Sequence, residues 1–307
     1  MPATGRWRGF AGGGSVKKSK LRALAEAILR PIFRFLSRAY VAGPELRDAI
    51  RAFGRFAAKG HRGTIGYFNG DDELPRRIAD LDVATLEALS QGSQEQRDAY
   101  VSIKVPAMRY DAELVGDIAR KSRDTGIGIH FDSHQIETTD PTFASIEAAL
   151  RENPHQVGCT LPGRWTRSLT DADRAVELGL RVRVVKGQWA DPAQPDIDLR
   201  SGYLAVIDRL AGRARLVGVA THDPVVARAA LKRLRDAGTP CELELLFGLP
   251  MRAVSTVARD AGVPVRMYIP FGAAWMPYAL SQLRRKPGML WWIVKDALAV
   301  YLPRTPG

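Results

Sequence analysis

From about residue 64 the chain alternates between two kinds of run. Short β-rich runs, dense in Val, Ile and Leu, fall at 64–68, 101–105, 126–131, 157–161, 181–185, 216–220, 242–246 and 265–269. Between most of them the apolar residues recur every three or four positions, as at 111–122, 142–153, 171–178, 201–211, 224–237 and 251–261. The first pattern suits strands covered on both faces, and the second suits helices with one buried stripe. Eight such strands with intervening helices predict an α/β fold of the (β/α)8 barrel type. The competing architecture, a doubly wound sheet, announces itself with a Gly-rich phosphate turn after its first strand. Gly12-Gly13-Gly14 has no strand before it, and Gly126-Ile127-Gly128 falls inside a predicted strand, so neither fits that context.

The ends are built differently. Residues 1–16 are Gly-rich and are expected to form a disordered tail. Across 17–40, Leu21, Leu24, Ile28, Ile32 and Leu36 fall at helical spacing, Arg30, Arg34 and Arg38 share another face, and Pro31 should break or kink the helix. A second helix is expected at 44–59, stopped by Gly60. The division is thus a tail at 1–16, basic N-terminal helices at 17–62, a barrel at 63–288, and an apolar C-terminal helix and tail at 289–307 carrying Trp291-Trp292. That last segment is too short to span a bilayer, and no run of eighteen apolar residues occurs.

Charge follows the same division. Residues 1–62 hold fourteen Lys/Arg against three Asp/Glu, 63–283 hold twenty-six against twenty-nine, and 284–307 hold five against one. The overall charge of +12 is a property of the ends, and the middle has no basic-aromatic motif, which argues against a nucleic-acid partner. Basic and apolar terminal helices could together make peripheral contact with an anionic membrane surface. Cys159 and Cys241 lack metal-like spacing and read as reduced, buried thiols of a cytoplasmic protein without an export signal.

On a barrel the chemistry gathers where strands end at their C-terminal rim. Polar residues crowd those ends: Asn69, Asp71 and Asp72; Lys104; Asp132 and His134; Arg183 with Lys186; Thr221 with His222; Glu244; and Tyr268. Arg183 and Lys186 need anionic partners or a ligand if buried, so a salt-bridged barrel interior and a ligand site are both open readings. Gly187 would let a ligand approach the backbone. Asp223 before Pro224 is a helix start, with His222 facing the site. His130, Asp132 and His134 share one face of an extended strand and, with His222, could form a metal site for a hydrolase or lyase. The histidines are few, and no metal is expected on this pattern.

Taken in order, Ile103-Lys104, Asp132 with Thr138-Thr139-Asp140, Arg183-Val184-Val185-Lys186-Gly187, Ala220-Thr221-His222-Asp223-Pro224, Leu245-Leu246-Phe247-Gly248 and Tyr268-Ile269-Pro270-Phe271-Gly272 resemble the bacterial, monofunctional proline dehydrogenases. The resemblance runs from about residue 38 to residue 300 and includes Tyr40-Val41-Ala42-Gly43 and 63–68. It implies a (β/α)8 barrel holding noncovalent FAD over the strand ends, hydride transfer from substrate to flavin, and electrons passed on to quinone. It further implies that Arg183 and Val185 approach the flavin ring, and that Lys186, Gly187, Thr221, His222 and Glu244 serve the cofactor. Lys104, Asp132 and Tyr268 would face the substrate, with Tyr278 on a covering helix. A cation beside the isoalloxazine would stabilise the negative charge it gains on reduction.

Five departures alter what the resemblance implies. The family's Arg-Arg pair, which holds the substrate carboxylate, reads Ser281-Gln282, and the Glu three residues further on is Arg285. Losing two charge-assisted hydrogen bonds of about 1.5–3 kcal/mol each would weaken proline binding by roughly 10²–10⁴-fold. The family's Gln closing the fourth strand is Pro162, its acid two after Asp132 is His134, and its aromatic after Lys-Gly is Trp189. The expected activity is oxidation of an amine, imine or modified amino acid by an FAD enzyme, with quinone or oxygen as acceptor and proline a poor substrate. His134 would be a general base, and Ser281, Gln282, Arg285 and Trp189 would help bind substrate. A metal-dependent barrel enzyme and a noncatalytic homologue remain the alternatives.

Overall fold

The computed structural model describes residues 42–272 of the 307-residue chain. Helix α1 (Leu46–Ala57) leads into β1 (Arg62–Tyr67), α2 (Pro75–Ser90), the short α3 (Gln94–Arg97) and β2 (Ala99–Ile103). There follow α4 (Ala112–Thr125), β3 (Gly128–Phe131), α5 (Thr139–Glu152), β4 (Val157–Pro162), α6 (Ser168–Glu177) and β5 (Arg181–Val185). The series ends with α7 (Leu199–Leu210), β6 (Leu216–Ala220), α8 (Pro224–Asp236), β7 (Cys241–Leu246), α9 (Arg252–Ala261) and β8 (Val265–Phe271). Each strand pairs in parallel with the next, and β8 closes on β1. The predicted (β/α)8 barrel is the fold.

The period-two pattern of the strands sorts the residues cleanly. Ile65, Val101, Ile103, Ile129, Phe131, Val182, Val184, Val217, Val219, Leu243, Leu245, Met267 and Ile269 point outward into the helical layer and are buried there. Helix α1 belongs to this layer: Ala49, Ala52 and Phe53 are fully buried, and Phe53 lies where a side chain on Gly63 would have to go. The alternate positions fill the lumen, and they are polar. Glycines opposite the largest of them make the room: Gly66 faces Tyr268, Gly128 faces Tyr100, Gly158 faces His130, and Gly218 faces Arg181.

The helix starts are local chemistry. Asp111 accepts hydrogen bonds from the backbone N–H groups of Glu113 and Leu114, and Asp223 from those of Val225 and Val226, with Pro224 at the first helical position. Two sequence expectations change. Gly126 is not strand: it is the left-handed residue (φ 71°) that ends α4, and β3 begins at Gly128. The sixteen-residue helix α2 is absent from the predicted segments because its buried face includes Asp82 and Thr85, which blur the apolar period. The predicted helix at 17–40 and the C-terminal segment at 289–307 lie outside the described residues. Among the described residues no helix is long and apolar enough to cross a membrane.

Candidate active site

The lumen holds two layers of charge. In the lower layer the Glu242 carboxylate accepts from Arg181 (2.7 Å), Arg266 (2.7 Å) and Arg62 (3.1 Å). The rings and guanidiniums interleave here, with Arg181 and Arg266 lying over the Tyr100 ring at 4.6 and 4.5 Å. His130 is spent in the same layer. Its Nδ1 accepts from Arg181 (3.0 Å), which leaves Nε2–H to donate to Thr160 Oγ1 (2.9 Å). Burial and the nearby Arg183, Arg181 and Arg266 hold its pKa well below the ordinary imidazole value. A neutral histidine with both nitrogens engaged cannot also bind a metal, so His130, Asp132 and His134 do not converge as a ligand set.

The upper layer lies at the strand ends and centres on Asp132. Its carboxylate accepts from Ser102 Oγ (2.6 Å), from Tyr268 Oη (3.2 Å) and from Arg183 Nη2, and lies 3.6 Å from Lys104 Nζ. Burial works against the Asp132 charge, but Arg183, Lys104 and Ser102 hold its pKa below the usual carboxylate range. Lys104 also donates to the Tyr67 carbonyl (2.7 Å) and sits 4.9 Å from the Phe68 ring centroid. Burial disfavours its ammonium, yet Tyr268, Asp132 and Asp82 together keep its pKa above the ordinary value. Arg183 stacks 5.1 Å from the Tyr268 ring centroid and bonds Thr160 and Glu244 (2.9 Å each). The structure therefore brings Lys104, Asp132, Arg183 and Tyr268 into one cluster.

His134 lies beside that cluster, stacked on Trp189 with ring centroids 6.3 Å apart. Its Nε2 is buried and has no hydrogen-bond partner among the described residues, and burial lowers its pKa, so the ring is neutral near pH 7. Lys186 is exposed at the rim and has no partner among the described residues. Gly187 adopts φ 90°, and a Cβ there would strike Pro162 (2.8 Å) and the Arg164 stem (2.9 Å). Packing and a left-handed backbone, in addition to any ligand, thus require glycine at 187.

Two candidates are placed differently from their expected roles. His222 is fastened by backbone at both nitrogens: Nδ1–H donates to the Pro250 carbonyl (2.9 Å), and Nε2 accepts from the Leu246 N–H (3.0 Å). It clips the β7 end to the next loop and keeps only a ring edge for a ligand. Glu244 is 2% exposed and lies beneath Arg183, with its oxygens bonded to Arg181, Arg183 and Thr64. It does not present an oxygen at the rim to a cofactor. Tyr278, Ser281, Gln282 and Arg285 lie outside the described residues.

Several participants were not singled out from the sequence. Ser102 and Thr160 could have been found by counting back two from Lys104 and Pro162 along the strands. Asp82 gives no such signal, because a lone carboxylate in a helix reads as exposed. It is instead fully buried behind Lys104, with one oxygen unpartnered, and burial pushes its pKa up to about 8. Arg164 and its neighbours strap two rim loops together: Arg164 donates to the Gln188 carbonyl (3.0 Å), Trp165 to that of Trp189 (2.9 Å), and Thr166 to Asp191 (2.7 Å).

No family model matches the chain. It is similar to proline dehydrogenase 1 of Bacillus subtilis subsp. natto, 22% identical over 86% of this chain and 91% of that one. It is equally similar to the proline dehydrogenase of Deinococcus radiodurans, 22% identical over 90% and 94% of the two chains. Among solved structures, proline utilization A from Bdellovibrio bacteriovorus, inactivated by N-propargylglycine, superposes with a TM-score of 0.73 at 14% identity. That from Corynebacterium freiburgense superposes with a TM-score of 0.65 at 18% identity. These cover 86% and 88% of this chain, which spans about a third of their own length (34% and 33%).

Proposed function

We propose that this chain, a divergent member of the proline dehydrogenase family, is a flavin-dependent dehydrogenase or oxidase acting at the carbon next to nitrogen in an amine, imine or modified amino acid. The observation that carries this reading is the rim cluster of Arg183, Asp132, Lys104 and Tyr268 above a closed ionic lumen. The donor set suits a flavin: a fixed guanidinium at the lumen mouth, an exposed Lys186 ammonium, and a left-handed turn at Gly187. FAD, when bound, would accept a hydride from the substrate carbon. Arg183 and Val185 would lie towards its ring, and Lys186, Gly187 and Thr221 towards its ribityl and phosphate portion.

The protein's own residues would supply orientation and proton control. Asp132 stays ionised and orients a substrate N–H, while Lys104 and Tyr268 fix its second oxygen. The neutral His134 has one unengaged nitrogen and is the candidate acceptor for the amine proton. Proline is a poor fit, because Ser281 and Gln282 replace a cationic pair and offer neutral hydrogen bonds suited to an amide, ester or hydroxyl. Arg285 and Trp189 would complete the substrate site. Quinone or oxygen would take the electrons, with the protein in the cytoplasm and its basic and apolar ends touching the membrane surface.

The test is the visible spectrum of the purified protein before and after adding FAD and desalting. Retained flavin bands at about 370 and 450 nm, bleached anaerobically by a cyclic amine or amino-acid amide faster than by proline, are the expected result. A protein that retains no FAD overturns the reading.

A further inference from the structure

Arg183 reaches the rim from below, and its position is decided by what lies beneath it. Nε donates to Thr160 Oγ1 (3.2 Å), Nη2 to Thr160 (2.9 Å) and to Asp132, and Nη1 to Glu244 Oε1 (2.9 Å). Thr160 also reaches the lower layer, through His130, but of these partners only Glu244 joins the two layers by charge. It accepts from Arg181 in the lower layer (2.7 Å) as well as from Arg183 in the upper, and Thr64 adds a third bond (3.2 Å). Gly218 makes room for this bridge, since a Cβ there would lie 2.9 Å from Arg181 Nη2 and 3.1 Å from Glu244 Oε2.

We propose that Glu244 is a positioning residue for the redox chemistry: through Arg183 it sets both where a guanidinium meets the cofactor and how much net positive charge the rim presents. The inference rests on the flavin reading. In the upper layer Arg183 and Lys104 face Asp132 and Glu244, so Glu244 supplies one of the negative charges that offset these cations. That charge weakens the attraction of the layer for incoming negative charge and keeps the bound cofactor a milder oxidant. Removing the Glu244 charge makes the layer more positive by one charge in a buried lumen, where Coulomb interactions are weakly screened. The electrons that reach the cofactor are then held more tightly.

The experiment compares FAD-loaded wild type with Glu244→Gln by anaerobic redox titration against reference dyes. The expected result is a shift of tenfold or more towards the reduced form, equal to about 30 mV for two electrons. An unchanged potential in a Glu244→Gln protein that binds FAD overturns the proposal. Should that variant not fold, Glu244→Asp keeps the charge but cannot span both guanidiniums. A shift of threefold or more in the same direction is expected from it, and no shift overturns the proposal. A cofactor-free cycle separates this inference from the flavin reading. Urea unfolding of wild type, Glu244→Gln, Arg183→Met and the double variant should show a double loss smaller than the sum of the single losses. Additive losses overturn the positioning role. If wild type retains no FAD, the flavin reading has failed, and the cycle alone decides whether Glu244 holds Arg183.

Discussion

The two layers of the lumen use the same side chains to opposite ends. Below, Glu242, Arg181, Arg266 and His130 are almost wholly buried, and the Glu242 carboxylate and both His130 nitrogens are taken by protein partners. Above, Asp132 and Lys104 are 13% and 12% exposed at the side chain, and among the described residues His134 keeps an unbonded nitrogen and Asp82 an unbonded oxygen. A closed network fixes geometry, and an open one keeps capacity for a ligand. What distinguishes scaffold from site here is whether the hydrogen-bonding valences are spent, and residue type alone says little about it.

The sharpest way to break the comparison is in the closed layer. Glu242→Gln leaves the guanidiniums of Arg62, Arg181 and Arg266 around a neutral amide. Stripping one partner from a buried ion cluster costs about 3–5 kcal/mol. The variant should unfold at a much lower urea concentration than wild type, and an unchanged midpoint would mean that the lower layer is not the scaffold.

Arg183→Met tests the open layer. Glu244 keeps Arg181 and Thr64, and Asp132 keeps Ser102, Tyr268 and Lys104, so the fold should survive. Anaerobic bleaching by the best amine should slow by about 10²–10³-fold, as when one aimed donor is lost from a preorganised site. Loss of folding without a selective loss of rate would erase the distinction between the layers.

Much of this contrast was legible in the sequence, and the illegible part has a physical cause. The alternation of runs fixes the barrel, and period two places Arg181 with Arg183 and Glu242 with Glu244 on the lumen face. It does not tell which of two like residues, one turn of the pleat apart, has its partners filled. That depends on cross-barrel pairs sixty or more positions apart, such as Arg181 with Glu242 and Thr64 with Glu244. The bonds that hold His222 are likewise invisible along the chain, since they come from Leu246 at the end of β7 and Pro250 in the loop after it. The segment holding Ser281 and Gln282 is informative as sequence alone.

Asp82 sharpens the comparison through pH. Its pKa is raised to about 8, chiefly by burial, so the folded state keeps a proton that the unfolded chain releases near pH 4. Below about pH 4 both states are protonated, and the group costs nothing. From there to about pH 8 its contribution to stability falls, and above that it is constant. Asp82→Asn should remove this slope, gaining on the order of 1–3 kcal/mol at pH 8 and little at pH 4. Urea midpoints at the two pH values check this, and an equal gain at both would show that Asp82 is ionised in the folded protein.

The smallest effect concerns strain, and it too separates rim from scaffold. Between Lys104 and α4 the chain makes a tight turn in which Arg109 and Tyr110 take φ values of 56° and 59°. Two consecutive non-glycine residues in the left-handed region are unfavourable by roughly 1 kcal/mol or more each. Tyr110 packs partly buried against the core, whereas Arg109 is exposed. The turn starts at Lys104, whose carbonyl accepts from the Ala107 N–H (3.0 Å). Arg109→Gly relieves the strain in the folded state but loosens the unfolded chain, so stability should rise by about 0.5 kcal/mol or less. The informative readout is the amine concentration needed for half-maximal bleaching. It should rise two- to threefold if the strained turn aims Lys104, and stay constant if the turn only connects β2 to α4.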